Sequence, residues 1–197
     1  MRIVSGKFKG IRFEPPRDIT ARPTTDFAKE SLFNILDNII DFEGIRVLDL
    51  FSGTGSISYE FVSRGARSVT GIEMNTKQID FIKKTCTNLK IANLYVYRSD
   101  VFKHIAKCSE RYDVVFADPP YQMNNIDELL AAVIGNRLLT DDGIFILEHN
   151  RHHSFADHPN LIDSRKYGNV HFSLFRAMDG KLQHSNNIKH QYRINRP

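Results

Sequence analysis

The chain has 197 residues, 41% of them hydrophobic and 25% charged, with a formal net charge of +4. That length allows one domain with a core that needs no disulfide or metal staple. The composition excludes collagen-like, low-complexity and disulfide-framework classes. No stretch approaches the ~20 apolar residues of a membrane span. The opening MRIVSGKFKG lacks a signal peptide's apolar run, so a cytoplasmic location is expected. Cys86 and Cys108 have no metal-site spacing and read as plain thiols in a reducing compartment. Residues 1–24 carry net +4, residues 25–150 net −5 and residues 151–197 net +5. Basic ends around an acidic middle point to a polyanionic partner touched by the ends; the alternative is an ordinary solvated surface.

In chain order, residues 2–14 read as two short strands around Ser5-Gly6-Lys7, a hairpin stopped by Pro15 and Pro16. Thr24 and Thr25 offer an N-cap for a helix over about 26–40, in which Phe27, Leu32, Ile35, Leu36 and Ile39 form one apolar stripe. Strands and helices then alternate. Strands are expected at 46–50, 68–73, 94–98, 112–117 and 143–148, and helices at 57–63, 76–89, 101–107 and 126–137. This alternation predicts an α/β fold with a parallel sheet covered on both faces. Residues 166–176, with Gly168-Asn169 between extended segments, read as an antiparallel hairpin completing the sheet. Three units are expected: a basic hairpin over 1–21, a main domain over 22–177, and a polar, basic tail over 178–197 that reads as flexible.

Four signals carry chemistry. The first is Asp49-Leu50-Phe51-Ser52-Gly53-Thr54-Gly55 after the first buried strand. Ligands of open α/β sheets bind beyond the carboxyl ends of strands, and Gly53 and Gly55 let the backbone turn tightly against one. The segment is neither a full G-x-G-x-x-G fingerprint nor a P-loop, so it could be a plain glycine-rich turn. The second is Glu73 at the end of the second strand, placed to accept both hydroxyls of a ribose or to cap the helix near Thr76. The third is Asp100, past the third strand, an acceptor for adenine's exocyclic amine or an N-cap for the helix at Val101. Together these acids form a nucleoside pocket.

The fourth and strongest is Asp118-Pro119-Pro120-Tyr121 after Phe116-Ala117. Two prolines stiffen the turn and remove N–H donors. A base amine is a poor nucleophile because its lone pair is delocalised into the ring. Asp118 and the Pro119 carbonyl can each accept one N–H and turn that lone pair toward an electrophile, while Tyr121 offers a stacking ring. The alternative is a rigid structural turn with an aromatic plug. No Pro-Cys pair or zinc-deaminase signature supports attack on a pyrimidine carbon or deamination. His149, His152, His153 and His158 crowd one region, but nothing completes a metal set, and they read as a wet polar loop.

In this order the motifs resemble those of class I S-adenosylmethionine-dependent methyltransferases. More closely, residues 1–177 resemble the RsmD family of bacterial 16S ribosomal RNA guanine-N2 methyltransferases. The likeness runs from Ile3–Gly10 through Arg22-Pro23-Thr24-Thr25-Asp26, Leu32–Leu36, LDLFSGTGS, Ser63–Ala66, Ile72–Asn75 and DPPY to Tyr167-Gly168. Ser52 departs from the family's usual Ala. The fold implied is a seven-stranded, mostly parallel sheet with a C-terminal antiparallel hairpin and helices on both faces. The cofactor implied is S-adenosylmethionine, leaving S-adenosylhomocysteine, and no metal. Arg22 and Thr24 would face its methionine end. Asp49, Phe51, Ser52, Gly53, Gly55, Glu73, Met74, Asp100 and Val101 would line the remainder. Asp118, Pro119, Pro120 and Tyr121 would receive a flipped guanine of the 966 type, and Lys7, Lys9 and Arg12 would meet RNA phosphates. The partner implied is an assembling small ribosomal subunit, met by a monomer. Two other readings stay open: an N-methyltransferase acting on adenine N6 or a protein glutamine, and a non-catalytic RNA-binding assembly factor.

Overall fold

A computed structural model of the chain describes residues 1–15 and 26–177. The expected alternation is present: α1 (Asp26–Leu36), β1 (Arg46–Asp49), α2 (Ser56–Ser63), β2 (Ser68–Glu73), α3 (Thr76–Leu89), β3 (Leu94–Arg98), α4 (Val101–Lys107), β4 (Tyr112–Ala117), α5 (Ile126–Gly135), β5 (Leu139–His149), β6 (Leu161–Tyr167) and β7 (Val170–Arg176). The seven strands form one sheet in the order β3-β2-β1-β4-β5-β7-β6. The first five are parallel, while β7 and β6 close the sheet antiparallel. Val47, Val69, Val114, Phe116, Ile144 and Ile146 pack on one face with α1, α2 and α3. Leu48, Ile72, Val115, Phe145 and Leu147 pack on the other with α4 and α5. Near-continuous apolar strands such as VVFA and IFIL reflect burial on both faces. The chain steps from β1 outward to β2 and β3, then returns to the far side of β1 as β4. The strand order therefore reverses between β1 and β4, which opens a crevice beyond their carboxyl ends.

The structure moves several boundaries. α1 ends at Leu36 rather than near residue 40, because Asp37 and Asn38 favour turns over helix and the Asn38 side chain donates to the Asn34 carbonyl. Its buried stripe is Ala28, Lys29, Leu32, Phe33 and Leu36, whereas Phe27 is 69% exposed. The buried Lys29 ammonium donates to the Arg2 carbonyl and the Ser56 hydroxyl. β5 starts at Leu139, with a shift of register against β4 before Gly143. A Cβ at Gly143 would lie 2.9 Å from the Thr140 nitrogen and the Tyr112 carbonyl oxygen. β6 starts at Leu161, five residues before the reading from sequence. It is the edge strand, so the polar run Asp163–Lys166 can face water and gives no clear alternation.

The amino-terminal hairpin is reduced to one antiparallel bridge, Arg2 to Arg12, with Ile3 N–H donating to Ile11 O and Phe13 N–H to Met1 O. The turn between them clamps onto α2 instead of extending the ladder. Val4 and Ser5 N–H donate to the two oxygens of the fully buried Glu60 carboxylate, at 2.8 and 3.0 Å. Lys7 N–H donates to the Ser63 carbonyl and Phe8 N–H to the Ser63 hydroxyl. Arg64 balances Glu60 at 3.0 Å and lies over the Phe33 and Phe42 rings.

Gly6 is where this clamp has no room. Its φ is +78°, and a Cβ there would sit 1.9 Å from the Ser63 carbonyl oxygen. Gly6→Ala is expected to cost about 2 kcal/mol of folding stability, measured by urea unfolding. An unchanged midpoint would mean that the arm does not pack on α2 as described.

Candidate active site

The crevice between β1 and β4 is bordered by backbone turns that the sequence forces. Gly53 (φ 53°) and Gly55 (φ 84°) carry the chain from β1 into α2. A Cβ on Gly55 would lie 2.8 Å from the Tyr59 ring, so this residue must be glycine for two reasons. Gly55 N–H donates to Ser52 O at 2.7 Å, Ser52 N–H to Ile72 O and Leu50 N–H to Phe116 O, which pins the turn to β2 and β4. The Ser52 hydroxyl donates to Ile72 O. A Cβ at Gly71 would lie 3.0 Å from it, so Gly71 makes room for the serine.

Glu73 is the knot of this border. One carboxylate oxygen accepts the Gly53 N–H at 2.9 Å, and the other accepts the Met74 and Asn75 N–H groups at 2.8 Å each. With its amide nitrogen turned inward, Gln78 donates to both oxygens at 3.2 and 2.9 Å. Glu73 therefore ties the glycine turn to the start of α3, and a ribose would add to a carboxylate already held in place. The capping role falls to Asn75, whose side chain accepts from Lys77 N–H. Asp100 is the N-cap of α4, accepting Lys103 N–H at 3.0 Å through one oxygen. Val101 beside it is buried, while Met74 is 61% exposed.

Asp49 ends β1 and is 1% exposed. One oxygen accepts the Ser58 hydroxyl at 2.6 Å, and the other has no hydrogen-bond partner among the described residues. Burial raises its pKa to about 7, and the charges of Asp118 and Glu73 push the same way, against the Ser58 bond. Asp118 is half-buried past the end of β4, Pro119 is buried, and Pro120 is exposed. The Pro120 carbonyl accepts Met123 N–H at 2.8 Å, which closes a tight turn and presents Tyr121 at 44% exposure. Phe51 is partly buried in the second core cluster, against the α4–α5 face.

Asp49, Glu73, Asp118 and Tyr121 thus stand at one end of the sheet, with Asp100 one strand beyond Glu73. Arg22 and Thr24 lie outside the described residues, as does the tail over 178–197. Lys7, Lys9 and Arg12 are exposed on the clamped arm. His152 is exposed and His153 and His158 are half-exposed in the loop after β5, as a wet polar loop requires, but His149 does not belong to it. His149 is 5% exposed, with its ring bonded to the Ser173 hydroxyl and the Asn150 carbonyl and packed on Phe155; apolar neighbours there outweigh the polarity of the sequence. Among the described residues no group of His, Cys, Asp or Glu is placed to hold a metal ion, and no helix is long and apolar enough to cross a membrane. The sequence reading passed over three residues: Gln78, Ser58 and Glu148. Glu148 is a 4%-exposed acid two residues beyond Ile146, at the end of the apolar run IFIL.

Comparison with known proteins supports the family assignment. A family model described as conserved hypothetical protein 95 matches residues 1–176. The chain belongs to this family, the RsmD family. A relative from Buchnera aphidicola, ribosomal RNA small subunit methyltransferase D, is 34% identical over 179 residues, 89% of this chain and 91% of its own. The Escherichia coli K12 protein of the same name is 31% identical over 148 residues, 75% of this chain and 74% of its own. The solved structure of yhhF from Escherichia coli superposes with a TM-score of 0.79 at 28% identity, covering 90% of this chain and 97% of that one. The architecture is that of class I methyltransferases, as the RsmD resemblance implied.

Asp49 also gives the protein a pH signature. A carboxyl whose pKa is higher folded than unfolded stabilises the fold most below the unfolded value, and that contribution is lost as pH rises through the folded value. The ligand-free protein is therefore expected to lose stability between about pH 4 and pH 7 through Asp49, which moves from 3.8 to about 7 on folding. Asp49→Asn, followed by thermal unfolding across that range, should flatten this part of the slope. An identical slope would place the titration elsewhere.

Proposed function

We propose that this chain uses S-adenosylmethionine to methylate the exocyclic N2 amine of a guanine in 16S ribosomal RNA, at a 966-type site. The observation that carries the proposal is the position of the Asp118–Tyr121 turn: it lies across the strand-order reversal from the glycine turn after β1. The crevice fits the cofactor. Positive-φ glycines admit close approach, Glu73 and Asp100 stand past β2 and β3 as acceptors for ribose and adenine, and Asp49 keeps an unsatisfied buried oxygen. S-adenosylmethionine, when bound, supplies a methyl on a sulfonium: the amine's lone pair forms the N–C bond while the C–S electrons pass to sulfur, leaving S-adenosylhomocysteine.

The chain's own residues hold the amine for that transfer. Asp118 accepts one N–H. The Pro120 carbonyl is engaged in closing the turn, so the second N–H falls to the Pro119 carbonyl. Tyr121 stacks on the base, and Arg22 and Thr24 face the methionine end. Lys7, Lys9 and Arg12 meet RNA phosphates on a small subunit or its assembly intermediate. The chain works as a cytoplasmic monomer, with the unit over 1–21 docking and the unit over 22–177 catalysing. The relatives named ribosomal RNA small subunit methyltransferase D support this substrate over adenine N6, a protein glutamine or a non-catalytic scaffold.

Asp118→Ala is expected to lower methyl transfer by at least ~100-fold while leaving S-adenosylmethionine affinity by calorimetry nearly intact. Wild-type turnover in that variant would remove Asp118 from the mechanism. Mass spectrometry of 16S ribosomal RNA from cells with and without the gene should show one N2-methylguanine lost. Replacing Lys7, Lys9 and Arg12 together is expected to reduce the salt slope of RNA binding by about two to three; an unchanged slope would move the docking surface elsewhere.

A further inference from the structure

A second buried acid stands beside the proposed amine site, and the chemistry above does not use it. Glu148 is 4% exposed, and one of its carboxyl oxygens has no hydrogen-bond partner among the described residues. β4 and β5 run parallel with Phe116 beside Ile146 and Ala117 beside Leu147. One step further on, Asp118 and Glu148 stand side by side on neighbouring strands, whose spacing is about 5 Å. Phe116 and Ile146 belong to the same core face, so Asp118 and Glu148, two residues beyond each, project to that face as well.

The surroundings of Glu148 contain little to neutralise it. β7 places Phe172 opposite it, an uncharged ring. On α1, which packs on the same face, the buried cation is Lys29, engaged with Arg2 O and Ser56. Asp49 lies two strands away on β1 and is itself a buried acid. Asp118 is the charged group that acts on Glu148, and its sign is the same. Two neighbouring carboxyls in a low-dielectric setting do not both ionise, and the more deeply buried one keeps the proton.

We propose that Glu148 is a positioning residue, held as a neutral carboxylic acid beside Asp118 so that Asp118 alone is the anionic acceptor that orients the target amine. This rests on the reading of Asp118 as that acceptor. Burial, with the Asp118 charge adding to it, pushes the Glu148 pKa well above the ordinary carboxylate range. At alkaline pH its ionisation would put a second negative charge against the first and displace the acceptor.

The test has two arms on the full-length protein. Carbon-13 NMR of the ligand-free chain, labelled at glutamate carboxyls, should show one side chain titrating far above the others and absent from Glu148→Gln. Methyl transfer to small subunits from cells lacking the gene should fall on the alkaline side for the wild type. Glu148→Gln should retain most turnover and move that limb to higher pH. Glu148→Ala should lower kcat by about tenfold or more with S-adenosylhomocysteine affinity unchanged. Titration of Glu148 among the ordinary glutamates would overturn the proposal, as would equal losses in the Gln and Ala variants or an unmoved alkaline limb. The NMR arm needs no substrate. A wild type inactive on ribosomal RNA would therefore defeat the proposed function while the protonation of Glu148 was still decided.

Discussion

Carboxylates crowded at the carboxyl ends of parallel strands, two of them fully buried, are the constraint around which this molecule is organised. Asp49, Glu73, Asp118 and Glu148 lie at or within one residue of the ends of β1, β2, β4 and β5, and the parity of the strands sends them to one face. Taking such groups out of water is unfavourable unless each is bonded, protonated or met by a cation. The structure uses the first two devices. Glu73 accepts three backbone N–H groups, Asp49 has its serine, and burial holds Asp49 and Glu148 toward their neutral forms. The third device is a natural role for a cationic cofactor: a sulfonium and an ammonium in this crevice would offset part of the repulsion among the acids.

That view explains why the turns around the crevice are so tightly specified. Acids crowded at one end of a sheet repel one another, and loose loops would let them swing into solvent. Glu73 prevents this by bonding the glycine turn to its own strand end, and Ser52 sits in the space left by Gly71. Pro119 and Pro120 do the same for β4 by fixing φ without adding donors. Rigidity here is a means of keeping charges in place.

The sequence disclosed the parts of this arrangement that have local signatures. β2, β3 and β4 fall at the bounds expected of them, β4 as an apolar run buried on both faces and β3 as an edge strand with Tyr95 and Tyr97 exposed. Asp49, Glu73, Asp100 and Asp118 were visible because each follows such a run. Glu148 also follows one, yet β7 places Phe172 beside it, and β7 comes from a distant part of the chain. The same holds for His149, whose polarity suggested water until Phe155 and Ser173 closed over it. α1 was legible as a helix with Leu32, Ile35, Leu36 and Ile39 toward the core, but not in the burial of Lys29, which requires the Arg2 carbonyl and Ser56. The hairpin at 2–14 was mistaken for a ladder because nothing local says that Glu60 will capture two of its N–H groups.

That capture gives the small helix α2 a double duty. All eight of its residues, Ser56–Ser63, are buried, and Glu60 is among them without an exposed atom to speak of. Its first turn leaves the glycine loop at Gly55; Glu60 and Ser63, in its second half, grip the arm that carries Lys7 and Lys9. Eight residues of helix span only about 12 Å. The basic arm and the glycine turn are thus fixed to opposite ends of one short, rigid rod. If the basic arm meets phosphates, α2 converts that contact into a fixed distance from the nucleic acid to the amine-binding turn. A long flexible linker could supply the same charge but not the same distance. Placing the arm through a buried carboxylate, rather than through surface ion pairs, keeps that distance insensitive to salt even where the binding itself is not.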